Sequence, residues 1–294
     1  MTNGARALRT LLAGPDLVVA PGCFDAFSAV VAQEAGFNAV YMSGGLSATS
    51  LCGLGDIGIR TLSELTLQAR HICNVVNVPV IADGDAGYGG PVNTFRLIRD
   101  LEDAGVAGLH LEDQDLPRRC GHLAGKRLVS AEEHVLRIRA AVDARRNPDF
   151  VIIARTDAVA VTGLDDAIAR AQRYVEAGAD VAFIEALETR EQMTRAIRDV
   201  KAPHLANMVE GGKTPNLPIR DLADIGFKLV IYPWSGFGAA FKAMRAVWAE
   251  LRRTGTTAGF ADRMEPLTEW SGLLQTDRLL RDYERYVLPD PTTR

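Results

Sequence analysis

Two runs, Phe150-Val151-Ile152-Ile153-Ala154-Arg155 and Val181-Ala182-Phe183-Ile184-Glu185, frame the stretch that decides the fold. Each is a short, nearly unbroken apolar run, as expected of strands buried on both faces of a parallel sheet. Between them, after Leu164, the residues Ile168, Ala171 and Val175 fall at i, i+3 and i+7 and mark one face of a helix. Gly178 then stands where a helix closes and the chain turns into the next strand. Strand, helix and parallel strand make one β–α–β unit.

The same unit recurs along the chain. Strand candidates are Leu17–Pro21, Ala39–Ser43, Val78–Ala82, Gly108–Glu112, Phe150–Arg155, Val181–Glu185, His204–Met208 and Lys228–Tyr232, eight in all. Val135, Ile138 and Val142 repeat the helical spacing after Ser130, and Ser130-Ala131-Glu132-Glu133 reads as a capping box with Ser130 as N-cap. Gly105 closes another helix in the manner of Gly178. With no G-x-G-x-x-G after the first strand, a doubly wound open sheet is the weaker alternative. The sequence predicts an α/β fold, a (β/α)8 TIM-type barrel with an extra C-terminal helical segment. The catalytic barrel is expected over residues 1–257, with a lid loop over 114–127. An extension over 258–294 is expected to pack on a neighbouring subunit, because Leu273, Leu274, Leu279 and Leu280 in the helical stretch Leu267–Tyr286 need burial.

Composition excludes several classes. At 294 residues the prior is two domains of ~150, but barrels of ~250 residues routinely form one. Hydrophobic residues at 47% and charged residues at 24% exclude a disordered or low-complexity chain. Thirty-three basic against 37 acidic residues leave a net charge of −4, with no electrostatic footprint for nucleic acid or an anionic membrane. No apolar run approaches the ~18 residues that span a bilayer. Leu11-Leu12-Ala13 is too short for a signal-peptide core and reads as part of a first amphipathic helix. Cys23, Cys52, Cys73 and Cys120 form no C-x-x-C pair, so free thiols in a cytoplasmic protein are expected.

In such a barrel the chemistry sits where strands end and βα loops begin. There the acidic residues Asp83, Asp85 and Glu112 would converge, a set of hard oxygens suited to Mg²⁺ or Mn²⁺. One Asp alone could be a helix cap; three on one rim would repel without a cation. Ser43-Gly44-Gly45 offers successive backbone N–H groups for a carboxylate or enolate oxygen. The loop from Gln114 to Arg127 is long for its place and reads as a lid. Within it Cys120 follows Arg118 and Arg119 and precedes His122, and these cations are expected to lower its pKa. His71 and His134 read as helix surface or packing residues, His110 as a core histidine, and His204 as remote from the active rim.

Taken together these motifs resemble the isocitrate lyase / phosphoenolpyruvate mutase superfamily. The resemblance runs from about Leu8 to Thr257 through Ser43-Gly44-Gly45, D-G-D-A-G-Y-G from Asp83, H-L-E-D-Q from His110, R-R-C-G-H from Arg118, I-I-A-R-T-D from Ile152 and N-M-V-E-G-G-K-T-P from Asn207. It implies a Mg²⁺-dependent enzyme of small 2-oxo or 2-hydroxy acids. Asp83 and Asp85 would hold the metal, with Asp56 and Glu112 reached through water. Ser43, Gly44 and Gly45 would bind the pyruvate-like carboxylate, and Arg155, Glu185, Asn207, Gly121 and His122 would line the pocket. Cys120 would protonate the leaving carbanion, and Tyr41 is the expected base. The resemblance also implies a homotetramer.

Two departures narrow the expectation. The lid motif of the lyases usually begins with lysine, whereas Arg118 stands here and keeps its proton. Two arginines that bind carboxylates in the methylisocitrate lyase branch correspond to Gly238 and Leu267, which argues against a tricarboxylate. The expected function is carbon–carbon cleavage of a substituted malate. The alternatives are the phosphorus–carbon bond formation of the carboxyvinyl-carboxyphosphonate phosphorylmutase branch, which the stretches 119–133 and 205–215 resemble, and a non-catalytic metabolite-binding barrel.

Overall fold

Eight parallel strands, each followed by at least one helix, form the frame of the molecule in a computed structural model that describes residues 4–286. In chain order the elements begin with α1 (Gly4–Ala13), β1 (Val18–Cys23), α2 (Ala26–Glu34), β2 (Val40–Met42), α3 (Gly44–Cys52), α4 (Leu62–Val75) and β3 (Val80–Asp83). They continue with α5 (Pro91–Ala104), β4 (Gly108–Glu112), α6 (Ala131–Ala144), β5 (Val151–Thr156), α7 (Leu164–Glu176), β6 (Val181–Ile184) and α8 (Arg190–Asp199). The series ends with β7 (Leu205–Asn207), α9 (Ile219–Ile225), β8 (Leu229–Tyr232), α10 (Ser235–Thr254), α11 (Leu267–Leu273) and α12 (Thr276–Glu284). The strand order β6-β5-β4-β3-β2-β1-β8-β7 is parallel throughout, and the bridge Ala182–His204 brings β6 to β7. The result is a nearly closed TIM-type barrel.

All eight expected strands are present, displaced by at most two residues at an end. Ser130 caps α6, its hydroxyl accepting the Glu133 N–H at 3.1 Å, while the Glu133 carboxylate turns to Arg137 instead. The chain folds into two compact units, Met1–Gly238 and Ala239–Arg294. In the second, the expected single helix Leu267–Tyr286 is two, α11 and α12, because Gln275 adopts a left-handed backbone with φ 54°. The stretch 287–294 of the expected extension lies outside the described residues.

Strand alternation positions the site. Val151, Ile153, Val181, Phe183, Ile81 and Leu205 belong to the barrel's inner cluster, into which Leu8 of α1 also packs. Ile152, Ala154, Ala182, Ala82 and Ala206 face the surrounding helices. With period two, the next inward positions are Arg155, Glu185, Asp83 and Asn207. Each is polar, and each stands at or within one residue of its strand's C-terminal end.

His134 on α6 is fully buried and packs edge-on against Tyr174 at 4.5 Å. Burial, with Arg137 and Arg170 nearby, pushes its pKa down to about 3. The folded protein therefore refuses a proton that the unfolded chain accepts below about pH 6.5. Stability is thus lost as pH falls from 6.5 towards 3, at up to about 1.4 kcal/mol per pH unit for this one group. His134→Leu is expected to flatten the fall of the urea midpoint between pH 6.5 and 5; a profile parallel to wild type would contradict the assignment.

Candidate active site

A cavity of about 270 Å³ opens where the strands end, and it gathers most of the residues singled out from sequence. Ser43, Gly45, Asp56, Asp83, Cys120, Gly121, His122, Arg155, Glu185 and Asn207 all line it. Gly44 begins α3 behind Asp83, and Asp85 and Glu112 stand in the acidic cluster beneath the lid.

Arg155 is held as a rigid fork. Its Nε and Nη2 donate to the two oxygens of Asp157 at 2.9 and 3.0 Å, and Nη2 lies 3.3 Å from Glu185. Asp157 is held in turn by Asp113, whose Oδ1 accepts its backbone N–H at 3.0 Å. The other Asp113 oxygen accepts from Thr156, Tyr174 and Arg170. Sequence reasoning missed Asp113; the signal was its place directly after Glu112, on the opposite strand face. Glu185 accepts from the Asn207 amide at 2.9 Å, while Asn207 Oδ1 is buried without a hydrogen-bond partner.

The lid is folded onto this floor. Gln114 pairs with Leu128 across its base, and the Gln114 side chain both donates to and accepts from the Arg119 backbone. The buried Lys126 ammonium donates to the carbonyls of Gly121 and Leu123 and stands 3.7 Å from Asp157. His122 Nδ1 accepts the Lys213 N–H at 3.1 Å, and its Nε2 faces Glu185 at 3.6 Å. A Cβ at Gly121 would lie 2.4 Å from Arg155 Nη2 and 2.7 Å from Glu185 Cγ. Gly121→Ala must therefore lift the lid or displace Arg155, and displacements of about 1 Å cost ~10²-fold. We expect kcat/KM to fall by about that factor with an unchanged circular dichroism spectrum; activity within twofold of wild type would contradict the packing.

Two expectations are corrected by the geometry, and a third is enlarged. Cys120 is not acidified: burial raises its thiol pKa. Arg118 and Arg119 flank it in sequence but turn elsewhere, Arg118 to the acidic cluster and Arg119 to the Ala124 carbonyl. Tyr41 does not line the cavity; its phenol lies 2.8 Å from His110 Nε2 and 3.3 Å from Asp83 Oδ2. Burial and the Asp83 charge raise its pKa well above the ordinary value, so the phenol keeps its own proton, which argues against its acting as the base. His110 is buried as expected, but it touches Tyr41 and stands 3.5 Å from Asp83, so it supports the site as well as the core.

Arg118 dominates the acidic cluster. Its guanidinium reaches Asp56, lies 3.3 Å from Asp85, and binds Glu112 at 2.5 and 3.1 Å. Burial works against ionisation of Asp83. The His110 ring, Arg118, Arg155 and the Asp85 amide outweigh it and hold that carboxyl below its usual range. Among the described residues no three His, Cys, Asp or Glu side chains converge as a ready metal cage. The donors nonetheless fit a cation that takes one or two carboxylates and keeps its waters. Asp85 Oδ1 is buried and, beyond its ion pair with Arg118 Nη1 at 3.3 Å, has no hydrogen-bond partner. The missing side chains of Gly44 and Gly45 leave room for Asp83 and Asp56, since a Cβ at either would come within 2.4 Å of the carboxylate. Of the three backbone donors expected to take the substrate carboxylate, Ser43 donates to Cys23 and Gly44 to Asp83 at 3.2 Å. The Gly45 N–H, in the first turn of α3, has no partner within its helix.

Comparison with known proteins agrees with this geometry. A family model described as phosphoenolpyruvate phosphomutase matches residues 8–252. The chain is 45% identical over 285 residues to a 2,3-dimethylmalate lyase of Eubacterium barkeri, covering 97% of this chain and 99% of the relative. It is 45% identical over 278 residues to a 2-methylisocitrate lyase of Aeropyrum pernix, covering 95% and 88%. A solved structure of oxaloacetate acetylhydrolase with the inhibitor 3,3-difluorooxalacetate superposes with a TM-score of 0.92 at 36% identity, covering 98% and 99%.

Proposed function

The chain belongs to the phosphoenolpyruvate phosphomutase family, within the isocitrate lyase superfamily, and from that premise we propose that it is a Mg²⁺-dependent carbon–carbon lyase. Its substrate is a substituted malate-type 2-hydroxy dicarboxylate, cleaved by retro-aldol chemistry to a pyruvate-like 2-oxo acid and a second carboxylate. The observation that carries the reading is the place of Cys120. Its thiol, kept protonated by burial, lines the same cavity as Asp83, Arg155 and Glu185. A neutral thiol there is an acid awaiting a carbanion.

The roles follow from the contacts. Gly45 N–H and the Ser43 hydroxyl bind the carboxylate of the oxo-acid half. Arg155, fixed by Asp157, anchors the other half, and Asn207 Oδ1 accepts from a substrate hydroxyl. With the Tyr41 phenol holding its own proton, the hydroxyl proton passes to a carboxylate of the lining, where Asp56, Asp83 and Glu185 stand. His122 and Gly121 bring the lid over the substrate and exclude water. Asp83 and Asp85 would hold Mg²⁺, with Asp56 and Glu112 reached through water. When bound, the ion supplies Lewis-acid stabilisation of charge on the substrate oxygen. The Arg118 guanidinium and the cation compete for the same carboxylates.

Turnover of a panel of malates and phosphonopyruvate, read by 2-oxo acid release and phosphorus NMR, tests the reading. We expect Mg²⁺-dependent 2-oxo acid release from a substituted malate. A phosphorus–carbon rearrangement without any malate cleavage would replace it with the mutase.

We also propose a homotetramer. In the Ala239–Arg294 unit, Leu267 is 79% exposed, and Trp270, Leu279, Leu280 and Tyr283 are exposed as well. Such a surface calls for a partner. Light scattering at micromolar concentration should give about four times the 31.8 kDa chain mass, and truncation after Gly259 should lower it. A monomeric mass would contradict the assembly.

A further inference from the structure

The arginines that line the cavity, Arg118 and Arg155, both face carboxylates, and the His122 ring faces Glu185. Another part of the lining is different in kind: Leu46, Thr49, Val209, Pro233 and Trp234 carry no charge. Trp234 is the largest of these, and its position is built. The indole packs on Phe237 at 5.7 Å, and Phe237 packs edge-on against Phe24 at 5.1 Å. It also lies directly over Gly238, where an added Cβ would come within 2.6 Å of Nε1 and 2.9 Å of Cε2. The ring fits there because residue 238 has no side chain.

We infer that Trp234 is a specificity-determining residue, which with Leu46 and Val209 makes a subsite for a small alkyl substituent of the substrate and against an additional carboxylate. The inference rests on the lyase reading for the identity of the reacting carbons. A methyl group against these side chains leaves water for apolar contact. A carboxylate there would lose its hydration, Leu46, Val209 and Trp234 carry no charge to replace it, and the electron-rich face of the indole would repel it. Substrates are therefore dicarboxylates with methyl or ethyl branches.

Binding of three non-cleavable analogues with Mg²⁺ present tests this without any turnover: succinate, 2,3-dimethylsuccinate and tricarballylate, by titration calorimetry. One methylene in an apolar pocket is worth ~10–200-fold. Wild type should bind dimethylsuccinate at least ~10-fold tighter than succinate and than tricarballylate. Both ratios should collapse towards one in Trp234→Ala. They should also shrink in Gly238→Ala, whose added methyl group pushes the indole aside within a helix that tolerates alanine. Tricarballylate binding as tightly as dimethylsuccinate, a preference that survives Trp234→Ala, or no binding of any of the three would overturn the inference. Failure of every malate to be cleaved, with these ratios intact, would strike the lyase reading alone.

Discussion

Asp83→Ala should lose on the order of 10³ in kcat or more, the scale seen when a preorganised electrostatic group is removed. Asp83 is the node of the floor: it accepts from the Gly44 N–H at 3.2 Å and the Asp85 N–H at 2.9 Å, and it lies beside Tyr41 and His110. Its loss removes a proposed metal ligand and frees the start of α3 at once. The barrel should persist, because its inner cluster is apolar and lies beneath this layer. Excess chelator should impose the same loss on wild type, and added Mg²⁺ should reverse it there but not in the variant. Full activity of the variant, or of chelated wild type, would remove the metal assignment.

The second large effect concerns the thiol. Cys120→Ser keeps size and hydrogen bonding but substitutes a far weaker acid. Loss of general acid catalysis costs typically ~10²–10⁴ in rate. Burial raises the Cys120 thiol, so wild type holds the proton through neutral pH. Cleavage should fall by that factor while substrate affinity changes little. In a phosphorus–carbon mutase no carbanion waits for a proton, and the same substitution should cost only a few-fold.

Much of this site is legible in the sequence because strand alternation does the sorting. Arg155, Glu185 and Asn207 follow inward apolar residues two positions earlier, Ile153, Phe183 and Leu205, so the apolar runs alone place them on the inner rim. Where side chains turn is not written in the spacing. Arg118 and Arg119 adjoin Cys120 in the chain, yet the acidic cluster draws one away and a carbonyl the other. Tyr41 has the right parity but the wrong depth, one layer below Ser43 and behind Asp83. Asp113 points away from the cavity and acts through Asp157, a relation that only the packing of α7 reveals. The helix break at Gln275 is marked in the sequence only by Gly272, three residues earlier in the last turn of α11, whose carbonyl accepts the Gln275 N–H at 3.0 Å.

The most direct test is a rapid-quench single turnover in D₂O, with the substituted malate that wild type cleaves fastest, on wild type and Cys120→Ser. The account predicts one 2-oxo acid per site and a second carboxylate carrying one deuterium from wild type, with the rate lowered ~10²–10⁴-fold in the variant. A variant rate within a few-fold of wild type, or the rearrangement of phosphonopyruvate in place of any malate cleavage, would contradict it.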